Sequence, residues 1–564
     1  DMRLKEFSLL MVLLLAAGAG CSRGGHEGGG GTTGQPPTQV DNPSPPDGAV
    51  NVPLNITMSW DAAAAATGYD VYLGVDRLAV EGATHSSPEY VGRVATTSYA
   101  PSGLQAGTVY YWRVDAVNSA GVTKGPVWAF ATAAGSSTGD AGWLLGGYDS
   151  AGTMFNPHST VVRFGSYELR EEWVETWFTG GAPSTRTGDV DGDGEQEVVY
   201  CADRSVRILS GDGVLESAFT LPGNVDHWVS LLADADNDGD LDIFISSRVE
   251  NGSLTTYIYD HQGHLIQSFT RSNAGYDSSV SPVCLLPGGK LIVSYWAGYS
   301  LKPRAIACHD VSSGKELWSY DLGAPANVSV VDVPGVGWRI VTGWSTVHNG
   351  GTGNRTTDGD LYTVVLDENG TRIFTQTYSS NGSTDGNTHA LIVDLQGTGV
   401  YQVLVIETHD PTYYPGISQA HLLNLQTGAF ERTVDIATNT GRHVSPAVAD
   451  FDGDGKKEVA FVAGGDGAAY KLYLLDDDLT FLRSCDADRV WGAVDIDGDN
   501  QIEIIATKAD EVLIYDWSLN LEASFSFGGG QKAWSLIVSD INGDGLNEIL
   551  VWGNGLHCLS IAPK

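Results

Sequence analysis

Asp189-Val-Asp191-Gly-Asp193-Gly-Glu195-Gln-Glu197 runs straight into Val-Val-Tyr200, and the same nine-residue pattern is written four more times. The other copies are Asp234-Ala-Asp236-Asn-Asp238-Gly-Asp240-Leu-Asp242, Asp450-Phe-Asp452-Gly-Asp454-Gly-Lys456-Lys-Glu458, Asp495-Ile-Asp497-Gly-Asp499-Asn500-Gln501-Ile-Glu503 and Asp540-Ile-Asn542-Gly-Asp544-Gly-Leu546-Asn-Glu548. Acidic groups at positions 1, 3, 5 and 9 cannot crowd together unless something neutralises them. Hard oxygen donors at that spacing, a residue tolerant of positive φ at position 6 and a backbone carbonyl at position 7 suit Ca2+. Asn500 replaces glycine at position 6 of one copy, and asparagine is the next best residue for a left-handed turn. The expectation is about five Ca2+ sites. The alternative is a set of acidic turns without metal.

The residues after each loop decide its family. An EF-hand requires a helix and a bidentate Glu at position 12, whereas position 12 of the first four copies is Tyr200, Ile245, Phe461 and Ala506. The loops run into Glu-Val-Val-Tyr, Asp-Ile-Phe-Ile, Glu-Val-Ala-Phe, Glu-Ile-Ile-Ala and Glu-Ile-Leu-Val, which start strands rather than helices. These loops resemble the FG-GAP or VCBS repeat, the calcium-binding blade also found in the head of integrin α chains. The resemblance spans about residues 140–564 and implies a β-propeller with no particular activity.

Taking Asp189 as the phase mark, the gap between 234 and 450 must hold further units. Asp332-Val-Pro-Gly-Val-Gly337 and Asp394-Leu-Gln-Gly-Thr-Gly399 keep the first Asp and the glycines, and Cys284-Leu-Leu-Pro-Gly-Gly-Lys290 keeps only the turn. Counting these gives eight units, with seven as the alternative, and the degenerate turns are expected to fold without metal. Each unit reads as four strands. The chain ends too soon after Glu548 to complete the last one, and residues 159–177 can supply the missing outer strand, hiding two open edges.

Upstream, Met2-Arg-Leu-Lys5 and the apolar run from Phe7 to Ala17 read as a secretory signal, too short for a confident membrane span. Gly18-Ala19-Gly20-Cys21-Ser22 resembles a bacterial lipobox, which implies lipidation of Cys21 and an anchored envelope protein, with simple secretion as the alternative. Residues 22–45 are a Gly- and Pro-rich tether. Residues 46–133 alternate as strands, and Leu104-Gln-Ala-Gly-Thr-Val-Tyr110-Tyr-Trp112-Arg-Val114 resembles the strand F signature of fibronectin type III domains, with Tyr110 at the tyrosine corner and Trp60 as core tryptophan. Residues 134–142 are a linker, and 143–564 the propeller. The expected fold is thus all-β: a fibronectin type III sandwich followed by a calcium propeller.

A net charge of −38 argues against nucleic acid as a partner and against a membrane contact other than the anchor. Six cysteines without close pairs or a CxxC exclude a disulfide scaffold and a zinc site, and at least one is expected to be a free buried thiol. If the metal loops join first and second strands, ligands belong at the opposite end. There lie the long connections 343–360 and 408–419, with Trp344, Tyr413 and Tyr414, and the starts of the inner strands, with His227, Trp228, Asn327, His389, Arg442, His443, Trp491, Lys532 and Trp534. Trp344, Tyr413 and Tyr414 are expected to form an aromatic platform beside His389 and His443. Donors and flat rings around a channel mouth suit a sugar. Gly-x-Ser-x-Gly, phosphate-loop and HExxH motifs do not occur. The favoured reading is a monomeric, surface-tethered protein that binds a carbohydrate or an extracellular protein without catalysis. One rival is a polysaccharide lyase using His227, His389, His443, Arg442 or Lys532, since some lyases use a calcium propeller of about this size. The other rival is a structural envelope component.

Overall fold

The computed structural model describes residues 35–564 except 47–48, 53–55, 76, 102–103, 105–108, 133–153, 158–165, 178–183, 203, 223–226, 248, 299, 301, 324, 345–351, 354–355, 358–360, 379–385, 410–416, 439–445, 466–467 and 531. The chain divides into two compact units, Asp1–Ala134 and Gly135–Lys564.

In the first unit, alternating apolar residues build two sheets around one core. The larger has the order Ala49–Val52, Val127–Thr132, Val109–Asn118, Gly68–Gly74 and Tyr90–Val94, with Gly121–Thr123 paired to Val109–Asn118. The smaller pairs Met58–Ser59 with Ser98–Tyr99. Met58, Trp60, Tyr69, Trp112, Val114, Trp128 and Phe130 share the core. Within this unit the buried carboxylate of Asp70 is matched by Arg93, whose Nε and Nη2 each donate at 2.7 Å, by His85 at 2.8 Å and by the Tyr90 hydroxyl at 3.1 Å.

The second unit is a succession of four-stranded sheets, eight of them among the described residues. Thr185–Gly188, Glu197–Ala202, Ser205–Leu209 and Leu215–Thr220 form the first, antiparallel throughout. The second to seventh occupy 227–272, 278–321, 325–378, 386–438, 447–485 and 489–526. Second strands are apolar on both sides, as in Ile243, Phe244 and Ile245, all fully buried, because each sheet is covered on both faces by its neighbours. Outer strands such as Leu215–Thr220 alternate between exposed and half-buried residues.

The eighth sheet contains Ser535–Ser539, Glu548–Trp552 and Leu556–Pro563, and its fourth strand is Tyr167–Glu175, from the other end of the unit. The expected closing strand is therefore in place. Apolar clusters link each sheet to the next in turn: first with second, second with third, third through fifth, fifth with sixth, sixth with seventh, and seventh with eighth and first. The cycle returns to its start, and the unit is a β-propeller. At the seam, Trp552 donates its Nε1–H to Thr185 Oγ1 at 2.6 Å and packs edge-on against Tyr200.

A second set of contacts circles the outer rim. The glycine of a third-to-fourth strand turn lies against an outer-strand side chain of the preceding sheet: Gly213 on Trp173, Gly263 on Phe219, Gly370 on Trp318 and Gly428 on Phe374. All four glycines have φ between +71° and +85°, and an added Cβ would meet the ring at 2.6 Å. Trp173 and Trp318 also donate their indole N–H to the carbonyls of Gly211 and Glu368 in those turns. Among the described residues, no helix is long and apolar enough to cross a membrane. Of the five described cysteines, Cys201, Cys284, Cys308 and Cys558 are buried.

Candidate metal centres

All five acidic loops join the first and second strands of their sheets, so they share one end of the propeller. The last loop residue begins the second strand and pairs with the residue just before the loop, as in Gly188 with Glu197, Ala233 with Asp242 and Val494 with Glu503. This register turns the position-9 carboxylate back under the loop. There it accepts the position-2 backbone N–H in every copy, at 2.7 to 3.0 Å: Val190 to Glu197, Ala235 to Asp242, Phe451 to Glu458, Ile496 to Glu503 and Ile541 to Glu548.

Position 1 works from the other side. Asp189 accepts from the backbone of Gly192 and Gly194, Asp450 from Gly453 and Gly455, and Asp495 from Gly498 and Asn500. Asp234 accepts from Asn237, and Asp540 from Gly545. Position 3 accepts from the N–H of position 5, and position 5 from that of position 7, as for Asp191, Asp193 and Glu195. The same holds for Asp236, Asp238 and Asp240, for Asp452, Asp454 and Lys456, for Asp497, Asp499 and Gln501, and for Asn542, Asp544 and Leu546.

The result is convergence of positions 1, 3 and 9. Oxygens of Asp189, Asp191 and Glu197 lie within 4.8 Å of one another, as do those of Asp234, Asp236 and Asp242, of Asp450, Asp452 and Glu458, and of Asp495, Asp497 and Glu503. In the fifth loop the corresponding trio is Asp540, Asn542 and Glu548, and there Asp540 Oδ1 is buried without a hydrogen-bond partner. Burial first, and then neighbouring carboxylates, push Glu197 and Glu548 up to about 8, Asp242 and Glu458 to about 7, and Glu503 to about 10. Anions held this close and this dry favour a cation, and the clusters can bind a metal ion. The side chain of Lys456 leaves the loop for Asp477, 3.3 Å away, so position 7 can offer only its backbone carbonyl there.

One feature escaped the sequence reading. Position 4 has positive φ as well as position 6: +77°, +64°, +77°, +75° and +70° at Gly192, Asn237, Gly453, Gly498 and Gly543. Position 6 runs from +70° at Asn500 to +107° at Gly239. The signal was present, since position 4 is Gly or Asn in every copy. A second was not legible: residues 154–156 lie along the inner strands of the seventh and eighth sheets. Phe155 bridges Ala493, and Asn156 donates from Nδ2 to the Val538 carbonyl at 2.9 Å and to Asn547 Oδ1, in the fifth loop, at 3.2 Å.

The expected ligand groups fare differently. Trp344 ends the second strand of the fourth sheet and His227 begins the inner strand of the second. His389 is buried, at 8% exposure, on the inner strand of the fifth. Tyr413, Tyr414, Arg442 and His443 lie outside the described residues, as does Cys21. The aromatic platform expected around them is therefore not assembled from described residues. Lys532 and Trp534 are exposed, and Trp491 is half-buried.

The FG-GAP-like repeat profile matches residues 189–245 and 495–551, the first and second and the seventh and eighth sheets with their four loops. No curated protein sequence matches the chain. Among solved structures the chain is similar to a europium-containing methanol dehydrogenase, with 12% identity and TM-score 0.49 over 74% of this chain and 90% of that one. It is similar to Sqt1 of Saccharomyces cerevisiae, with 11% identity and TM-score 0.42 over 72% and 100%. It is also similar to the WD40 domain of SCAP from fission yeast, with 10% identity and TM-score 0.40 over 70% and 98%. Likenesses at this level carry no argument about activity.

Proposed function

We propose that the protein is a calcium-binding, eight-bladed β-propeller of the cell envelope that binds a carbohydrate or an extracellular protein without transforming it. The observation that carries the reading is the convergence of position-1, position-3 and position-9 oxygens in repeated loops at one end of the ring. Oxygen-only donors in a turn with a free backbone carbonyl match Ca2+ better than a softer metal. Bound there, the ion would supply charge neutralisation and cross-link the loop to the start of the second strand. Asp189, Asp191, Asp193 and Glu197 would hold it in the first loop, with the Glu195 carbonyl, and the equivalent residues in the other four. The neighbouring loops already brace one another, as Leu241 N–H donates to the Asp189 carbonyl and Gln196 meets Ser539. Ions would stiffen that end and leave the opposite end to present binding groups.

The first unit serves as a fibronectin type III spacer, a reading supported by its two packed sheets, the core Trp60 and the buried Tyr110. Residues 35–45, expected as part of the tether, instead pack on the first unit, with Val40 in its core and Ser44 bridged to Ser59. Lipid on Cys21 and the residues before 35 would therefore hold the folded units clear of the membrane. The propeller acts as a monomer. Two measurements test this reading. Titration of Ca2+ into chelator-treated protein should give about five equivalents bound, and fewer than two would remove the calcium assignment. Cys21→Ala should move the protein from the membrane fraction to the soluble one, and unchanged partitioning would remove the anchor.

A further inference from the structure

At the end of the ring opposite the metal loops, the seventh and eighth sheets have short connections. Their second and third strands are joined by only Ala509–Asp510 and by residues 553–555. The corresponding connection in the fourth sheet runs from Trp344 to Leu361. At this end the chain makes a turn of three successive glycines, Gly528, Gly529 and Gly530, with φ of +73°, +79° and +62°. Asp510 pins the turn, accepting the Phe527 N–H on its carbonyl at 3.1 Å and the Gly530 N–H on Oδ2 at 3.2 Å. The chain then presents Lys532 and Trp534 on one side, because Ala533 between them is buried.

Trp534 is the ring this segment exposes. It is 57% exposed, although its backbone is fixed by a 2.9 Å hydrogen bond from its N–H to the Trp552 carbonyl. A large rigid ring bare on an ordered segment offers a flat face to a ligand. Beside it, Lys532 Nζ lies 3.4 Å from Asp488 Oδ2 and 5.6 Å from the centre of the Tyr470 ring. The next residue, Arg489, lies over Trp491 at 4.8 Å. Tyr470 and Trp491 thus carry a cation near their rings, whereas among the described residues no cation lies over Trp534.

We propose that Trp534, Lys532 and Asp488 form a binding site for a neutral pyranose oligosaccharide, a reading that rests on the proposed binding function and names its ligand. The flat face made by the axial C–H groups of a pyranose stacks on an indole, while its hydroxyls take both a donor and an acceptor. Lys532 and Asp488 supply that pair. Residues two apart in a chain lie at most about 7 Å apart between Cα atoms, a separation that an oligosaccharide spans. The charge balance selects a neutral ligand. Lys532 faces Asp488 and Lys508 faces Asp486, at 3.5 Å, so the patch offers matched charges within a chain of net charge −38 that repels polyanions.

The test is titration calorimetry on the full chain in Ca2+ with cellohexaose, xylohexaose, mannohexaose and trigalacturonate. At least one neutral hexasaccharide should bind. Trp534→Ala should weaken it about tenfold or more, and Trp534→Tyr should stay within about threefold of wild type. Lys532→Met should weaken binding severalfold, and the melting temperature of all three variants should match wild type. Binding by wild type that Trp534→Ala leaves unchanged overturns this site while the broader binding reading stands. No binding of any neutral sugar, or binding of trigalacturonate alone, overturns the inference and its premise of a neutral glycan together.

Discussion

The sixth, seventh, eighth, first and second sheets carry acidic loops, and the third, fourth and fifth do not. The two arcs solve the same turn differently. In the fifth sheet Asp394 accepts backbone N–H bonds from Thr398 and Gly399, and Gly397 and Gly399 have φ of +63° and +79°, as in a metal loop. Yet positions 3 and 9 are Gln396 and Gln402, neutral amides, and Gln396 reaches across to Asp477 instead. In the third and fourth sheets the turn shortens further, with Leu286 paired to Lys290 and Val333 to Gly337. Position 1 and two left-handed residues therefore make the turn, and positions 3 and 9 make the ion site. The loop-bearing arc also contains the noncovalent seam, inside the eighth sheet between Leu556–Pro563 and Tyr167–Glu175, whereas the third to fifth sheets follow one another along continuous chain. We read the ions as reinforcement placed where the ring can open.

Chelation should break that comparison most visibly. Each ion bound only to the folded form adds about 2.7 kcal/mol at a hundredfold excess over Kd. With several sites, removing Ca2+ should lower the propeller transition in calorimetry by well over ten degrees and leave the transition of the first unit in place. Two transitions that ignore the chelator would show that the acidic loops are only turns.

Next in size is the seam itself. Trp552 is 3% exposed and joins the eighth sheet to the first through Thr185 and Tyr200, so Trp552→Ala should cost about 3–5 kcal/mol. Trp318 makes a contact of another kind within the other arc, at the outer rim against Gly370, and is only half-buried. Trp318→Ala should cost about half as much, measured by urea unfolding in saturating Ca2+. Equal costs would mean that the seam is no weaker than any other junction.

Much of this was legible in the sequence because a loop repeated at nine fixed positions carries its own register. The closing strand was legible because residues 159–177 read as strand without an acidic loop of their own, and Tyr167–Glu175 pairs with Leu556–Pro563. The rim contacts were not legible. Trp173, Phe219, Trp318 and Phe374 each serve a glycine between 40 and 54 residues away, with different ring types and different neighbours, so no motif records them. Of the aromatics singled out at the starts of the inner strands, Trp534 is exposed and Trp491 is half-buried. The sequence does not distinguish the two, because exposure depends on what the neighbouring segments cover.

Acid should distinguish the arcs by a smaller effect. His309, in the third sheet, stacks on Phe269 of the second and faces the Tyr295 hydroxyl at 3.1 Å, with Glu316 4.0 Å away and Arg271 over the Tyr295 ring. Burial, and then the charge of Arg271, push it down to about 4. The folded protein then holds this histidine neutral while the unfolded chain takes up a proton near pH 6.5, so its contribution is lost as pH falls from about 6.5 to 4. In Ca2+, His309→Gln should flatten the fall in melting temperature over that window. An unchanged slope would assign the acid sensitivity to the loops.

The smallest effect tests the separation of turn from ion site. Asn500 holds φ +70° at position 6 and donates its N–H to Asp495 Oδ2 at 3.0 Å, where three of the other loops place a glycine N–H on the position-1 carboxylate in the same way. Its backbone, not its charge, is what the loop uses, since position 6 lies outside the converging trio. Asn500→Gly should therefore change stability by less than about 0.5 kcal/mol, because glycine takes left-handed φ without strain. Asn500→Ala keeps every carboxylate and adds a strained Cβ, at a cost of about 1 kcal/mol. That cost falls on the folded loop with or without its ion. Both variants should accordingly bind as many equivalents of Ca2+ as wild type, with the alanine variant melting a few degrees lower at every Ca2+ concentration. If Asn500→Ala instead loses one equivalent, turn geometry and ion binding are one property, and the turn at Asp394, which has amides at positions 3 and 9, needs another explanation.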